Sequence, residues 1–231
     1  MNMLRIGAIF EKDLKDFMKN MMLIFMPVLP ILLAALYSRV GEGEEIPLFM
    51  VYLVIGTTFT AVTYSCLAMM MAEESEKNTL RGLVMSPATM LDVVIGKSLV
   101  AIMLTIVSII ISLWLMGFEQ FTNFQAIAGL AVALIFFTLL GAGVGMFVKT
   151  VASTQIYLMP ALFLFGMTPM IEFLGLEKGS VALKIFNTFP LPLLIRMNET
   201  GSWSHLGVLS LWLTGAAIFT YICFRRMGRD D

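Results

Sequence analysis

Charge is scarce in this sequence: Asp, Glu, Lys and Arg together make up 13% of its 231 residues. A soluble domain usually carries about a quarter, so water is the wrong solvent for most of this chain. Cysteine is nearly absent. Cys66 and Cys223 both fall inside apolar stretches, far apart and with no CxxC, a pattern that points to neither a disulfide framework nor a zinc site. His205 is the single histidine, and no basic run is interleaved with aromatics, so nucleic acid is not an expected partner. The first residues, MNMLRIGAIFEKDLKD, lack the long apolar core and the small-residue cleavage site of a secretory signal. What fills the chain is apolar: 59% hydrophobic residues and a mean hydropathy of +0.90.

The apolar residues come in runs long enough to cross a bilayer as helices. Six spans are expected: Met21 to Ser38, Leu48 to Ala72, Ser98 to Met116, Ala126 to Val148, a fifth ending near Ile171, and Leu206 to Phe224. Pro27 and Pro30 should bend the first or force its backbone to find other partners. Pro160, Gly166 and Pro169 interrupt the fifth. Ahead of them, Leu4 to Asn20 is too charged to cross. Phe10, Leu14, Phe17 and Met21 recur on one side and Glu11, Lys12, Asp13, Lys15, Asp16 and Lys19 on the other, the pattern of a helix lying in the membrane interface. Between the last two spans, 172–205 is semi-apolar, and Pro190 and Pro192 forbid a continuous helix through Phe186 to Leu194. Short re-entrant or surface helices are expected there. The expected fold class is an all-α membrane protein, with an interfacial helix over 1–20 and a six-span domain over 21–231.

Orientation follows from counting. With the N-terminus inside, Arg5, Lys12, Lys15, Lys19, Lys77, Arg81, Lys97, Lys149, Arg225, Arg226 and Arg229 are cytoplasmic, and only Arg39, Lys178, Lys184 and Arg196 lie outside, eleven of the fifteen basic residues against four. Positive charge favours the cytoplasmic side, so both termini are expected there. The same count places in the cytoplasm the densest charged run inside the apolar region, Glu73 to Pro87 (EESEKNTLRGLVMSP), within a loop expected over 73–97. Leu80, Leu83 and Val84 stand at i, i+3 and i+4, one apolar ridge on a polar turn, suited to a partner's groove. An ordinary solvated connector has the same spacing.

Glu76-Lys77-Asn78-Thr79-Leu80-Arg81-Gly82-Leu83-Val84-Met85-Ser86-Pro87, followed by Gly96-Lys97, resembles the cytoplasmic loop signature of type-2 ATP-binding-cassette transporter permeases. Glu76, Thr79, Leu80, Leu83, Val84, Pro87, Gly96 and Lys97 match that signature. Asn78, Arg81 and Ser86 stand where the family usually has Gly, Glu and Thr, and the reversed charge at Arg81 breaks any ion pair that relatives make there. The layout of an interfacial helix, six spans and a Pro-rich outer segment is similar as well. The resemblance implies the membrane subunit of an exporter in a bacterial cytoplasmic membrane, paired with a second copy or a related permease and surrounded by lipid. Two copies of a separate ATPase subunit would dock beneath. It implies that Glu76, Lys77, Thr79, Leu80, Arg81, Leu83 and Pro87 form the coupling surface, with Lys149 to Gln155 a minor contact, and that ATP is bound by the partner and not by this chain.

Other motifs weigh little. Gly96-Lys97-Ser98 ends like a phosphate-binding loop, but the glycine that GxxxxGK[ST] requires is Leu91. Gly141, Gly143 and Gly145 sit in the fourth span with no strand before them, and small residues there let membrane helices approach closely. Thr57, Thr60 and Tyr64 lie on one side of the second span. Either they face a substrate, or the threonines bond back to their own backbone or join neighbouring helices. No charge is expected mid-span, which disfavours an ion-coupled carrier and suits an amphipathic cargo such as a drug, an antimicrobial peptide or a lipid-like molecule. No residue pattern suggests covalent catalysis or a bound cofactor. The alternative is a polytopic membrane protein that transports nothing and serves immunity, sensing or scaffolding.

Overall fold

The computed structural model describes residues 3–40, 46–77, 89–119, 121, 123–174 and 180–227. In chain order the helices are α1 (Met3–Lys19), α2 (Met21–Val40), α3 (Leu48–Glu76), α4 (Met90–Met116), α5 (Phe124–Phe147), α6 (Val151–Gly166), α7 (Val181–Phe186), α8 (Pro190–Thr200) and α9 (Ser204–Met227). A 3₁₀ segment, Thr168–Leu174, follows α6, and no strand occurs among the described residues.

Five of these helices, α2 to α5 and α9, are long and apolar enough to cross a membrane, which fits a multi-pass membrane protein. The fifth expected crossing corresponds to α6, with 11 α-helical and 5 π-helical residues. At 1.5 Å per residue it extends about 24 Å, less than the roughly 30 Å of a hydrocarbon core.

The bundle is built around α3. Every residue from Val51 to Ala72 is buried, as befits a helix apolar all round, and α2, α4, α5, α6 and α8 surround it. The glycines of α5 make that packing tight. A Cβ at Gly141 would lie 2.7 Å from the Tyr64 carbonyl oxygen, and one at Gly145 would lie 2.6 Å from the Met71 Cβ. On the far side of α5, a Cβ at Gly143 would meet the Phe219 ring of α9 at 2.7 Å. The expected close approach of membrane helices is therefore what these glycines permit.

Local chemistry places the helix ends. At the start of α4 the Thr89 hydroxyl accepts from the Asp92 amide at 3.2 Å, and the Asp92 carboxylate accepts from the Thr89 amide at 3.0 Å. This reciprocal cap starts the helix at Met90, well before the charge-free stretch from Ser98, so Lys97 lies within it. At the other side of the charged run, α3 continues through Glu73 to Glu76. Pro190 and Pro192 do break the chain's helix, and both sit in the first turn of α8, where their missing N–H groups cost nothing. Pro27 and Pro30 lie inside α2 without ending it.

The face of α1 differs from the expected one. Ile6, Ile9, Asp13 and Phe17 are buried, Phe10 and Leu14 are only partly covered, and Met21 is exposed at the start of α2. The physical reason is the partner: α1 lies against α4 and α2, so the side turned to them, and not the most apolar side alone, is covered.

Candidate functional site

At one end of the bundle, three helices bring four charges together. The approach is set by Gly96 on α4. A Cβ there would come within 2.7 Å of the Ile9 Cγ2 atom on α1, so only glycine lets the two helices lie this close. Lys97 follows Gly96 directly, and Asp13 is one turn beyond Ile9. Lys97 Nζ donates to Asp13 Oδ1 at 3.1 Å and to Glu74 Oε1, near the end of α3, at 3.2 Å. Lys12 Nζ reaches the same Glu74 oxygen at 2.7 Å and lies 3.7 Å from Asp13 Oδ1.

Three of the four side chains are withdrawn from solvent: those of Lys97 and Asp13 are 3% exposed and that of Glu74 7%, whereas Lys12 retains 47%. Buried charge is tolerated only when paired, and two ammoniums against two carboxylates make the group neutral. Burial pushes the Asp13 carboxyl above its ordinary value, although Lys97 and Lys12 pull it the other way. Burial draws the Lys12 ammonium down, but the hydrogen bond and charge of Glu74, helped by Asp13 and Asp16, leave it raised.

Two further contacts lie at this end. Lys77 Nζ pairs with Glu73 Oε1 at 2.5 Å. The Glu76 carboxylate accepts from the Val151 amide, the first residue of α6, at 2.7 Å. A carboxylate at a helix N-terminus satisfies a free amide and complements the helix dipole. Through it the end of α3 and the start of α6 are joined. A cavity of about 660 Å³ opens beside the cluster, with Lys12, Asp13, Asp16, Lys19, Glu73 and Lys97 among its lining residues.

The expected coupling residues fall partly here. Glu76 and Lys77 end α3 and are exposed; Thr79, Leu80, Arg81, Leu83 and Pro87 lie outside the described residues. Thr57, Thr60 and Tyr64 are all buried within α3. The Thr57 hydroxyl donates to the Leu53 carbonyl at 2.6 Å, that of Thr60 to the Gly56 carbonyl at 2.8 Å, and Tyr64 donates to the Tyr157 carbonyl of α6 at 3.1 Å. The threonines thus bond to their own helix just before and at the start of its π-helical segment, Phe59–Cys66, and Tyr64 joins two helices. Thr63 and Thr105, at 2.8 Å, tie α3 to α4.

Sequence reasoning missed the ion cluster. The available signal was Asp13, which shares the helical face of Ile6, Ile9 and Phe17: an acid on a covered face requires a cation opposite. Among the described residues no group of His, Cys, Asp and Glu could hold a metal ion. No protein-family model matches the chain, and no curated protein matches it.

Proposed function

We propose that this chain is the membrane subunit of a type-2 ATP-binding-cassette exporter, moving an amphipathic cargo and driven by a separate ATPase. It acts as a dimer of permeases, with α1 and both termini on the cytoplasmic side of a bacterial membrane. It carries out no covalent chemistry and binds no cofactor; ATP belongs to the partner.

The observation that carries this reading is the convergence at the α1 end. The central helix α3 runs without interruption into the charged turn at Glu73 to Lys77. The buried cluster braces that turn against α1 and α4, and Glu76 links it to α6. A push on the segment after Lys77 therefore has a stiff path to the helix at the centre of the bundle and to a second helix beside it. A lever of that kind needs a visiting motor, and the resemblance of Glu76 to Pro87 to the permease loop supplies its class. Leu80 and Leu83 would seat in the ATPase cleft.

The test is a pull-down followed by transport. The chain should co-purify with an ATPase subunit, and Leu80→Asp combined with Leu83→Asp should abolish ATP-dependent transport while membrane insertion stays intact. Transport that persists in the double variant sinks the coupling role.

A further inference from the structure

We infer that Phe59–Cys66 of α3 and Leu162–Gly166 of α6 form one shared hinge, latched by the contact of Glu74 with Lys97. About it the cluster ends of both helices swing together. The hinge follows from the packing of α3 against α6 and does not depend on the export reading.

Both segments are π-helical. In α6 the Met167 amide donates to the Leu162 carbonyl, five residues back, at 2.8 Å, and Pro160 just before it has no amide to give. π-Helical turns are rare inside α-helices and are places where a long helix kinks. Around the start of the π segment in α3, three hydroxyls take up main-chain carbonyls. Thr57 donates to Leu53, Thr58 to Val54 and Thr60 to Gly56, at 2.6, 2.8 and 2.8 Å. Such bonding bends helices, and it keeps those carbonyls satisfied in apolar surroundings when an amide draws away.

The two segments touch. A Cβ at Gly166 would stand 2.7 Å from the Thr60 hydroxyl oxygen, and one at Gly56 would stand 2.4 Å from the Gly166 carbonyl oxygen. Helix α5 supplies the fulcrum: a Cβ at Gly141 would meet the carbonyl oxygen of Tyr64, within the π segment, at 2.7 Å. At the cluster end the two helices are joined again, Glu76 to the Val151 amide. A bend in α3 alone would strain that link, whereas a second π segment beside the first lets α6 follow. Helix α4 is α-helical throughout, and its Lys97 holds Glu74, so the ion cluster restrains the swing.

Leu67–Glu76 is 10 residues, about 15 Å of helix, so a kink of about 20° moves its end by about 5 Å. The experiment is electron–electron double resonance on the full chain in nanodiscs, with labelled chains diluted among unlabelled ones. Spin labels go in pairs on Lys77→Cys, Ala152→Cys and Arg226→Cys, all at exposed positions, the last on α9, which packs along α5. Glu74→Gln should widen the 77–226 and 152–226 distance distributions by about 5 Å, the displacement of that arm, and leave 77–152 unchanged. Adding Thr57→Val and Thr60→Val should restore the native widths. Adding Thr138→Val, which removes the same kind of hydroxyl bond from α5, should not. No widening with Glu74→Gln, or widening that the α3 threonines do not reverse or that Thr138→Val reverses equally, overturns the hinge. Widening of 77–152 as well overturns its being shared.

Discussion

Lys97 on α4 and Asp13 on α1 meet at 3.1 Å although 84 residues separate them in the chain. Glu74 shares the lysine, so this one buried ammonium bridges two carboxylates that have almost no access to water, with the half-exposed Lys12 beside them. Removing it leaves both acids buried with only the half-exposed Lys12 nearby. Lys97→Met should destabilise the bundle by about 3–5 kcal/mol, the cost of breaking a buried pair from one side. Adding Asp13→Leu and Glu74→Leu to the same chain should recover most of that loss, because Lys12 can turn to solvent. Denaturant unfolding in detergent measures both.

The pH dependence of stability has a defined sign at Asp13. Burial raises its folded-state value above the ordinary 3.8, so between those two values the folded chain holds a proton that the unfolded chain has released. Its contribution to stability is complete below 3.8 and declines as pH rises through the elevated folded value. Unfolding curves of the native chain and of Asp13→Asn, recorded at a series of pH values from acid to neutral, should therefore diverge. The native chain loses stability relative to the variant as pH rises through that window and then runs parallel to it.

Long-range charge pairing is the part of this molecule that hydropathy hides. Six spans are expected from charge-free runs such as Ala126 to Val148, because exclusion from water is a local property of the residues involved. Five of them correspond to helices long and apolar enough to cross a membrane. The break before Pro190 is equally local. Helix α4, by contrast, begins at a Thr89–Asp92 cap inside the loop expected over 73–97, and a reading based on absence of charge places its start several residues late. Asp13 looked like one of three solvated acids on α1, since the cation it pairs with is on another helix. The threonines of α3 show the same limit. Their spacing defines a stripe that fits either a substrate-facing row or back-bonding to the helix, and only the folded structure shows that the Thr57 and Thr60 hydroxyls donate to the Leu53 and Gly56 carbonyls one turn back.

Gly141 provides a test of how tightly α5 is seated on α3. The two nearest atoms to a Cβ there are the Tyr64 carbonyl oxygen at 2.7 Å and its Cα at 2.9 Å, both backbone, so no side chain can rotate out of the way. Gly141→Ala should cost about 1–3 kcal/mol, the usual penalty for overpacking. Gly207 in α9 is the control: a Cβ there meets nothing within 4 Å. Alanine at 207 should be neutral or stabilise by up to about 1 kcal/mol, the helix-propensity difference. Equal effects at the two positions would show that the helices are not in the contact described.

The proposed orientation can be read chemically from the ends of α3. That helix has 29 residues and extends about 43 Å, more than the roughly 30 Å of hydrocarbon it would cross, so the segments before and after it emerge on opposite faces. Glu44 precedes it and Thr79 follows it. Both native cysteines, Cys66 and Cys223, are buried and free, which keeps the background of a membrane-impermeant thiol reagent low. In intact cells Glu44→Cys should label and Thr79→Cys should not; in inverted membrane vesicles the pattern should reverse. If Thr79→Cys reacts in intact cells, the charged turn faces outward, no cytosolic ATPase can reach it, and the coupling surface built on Glu76 to Pro87 has to be abandoned.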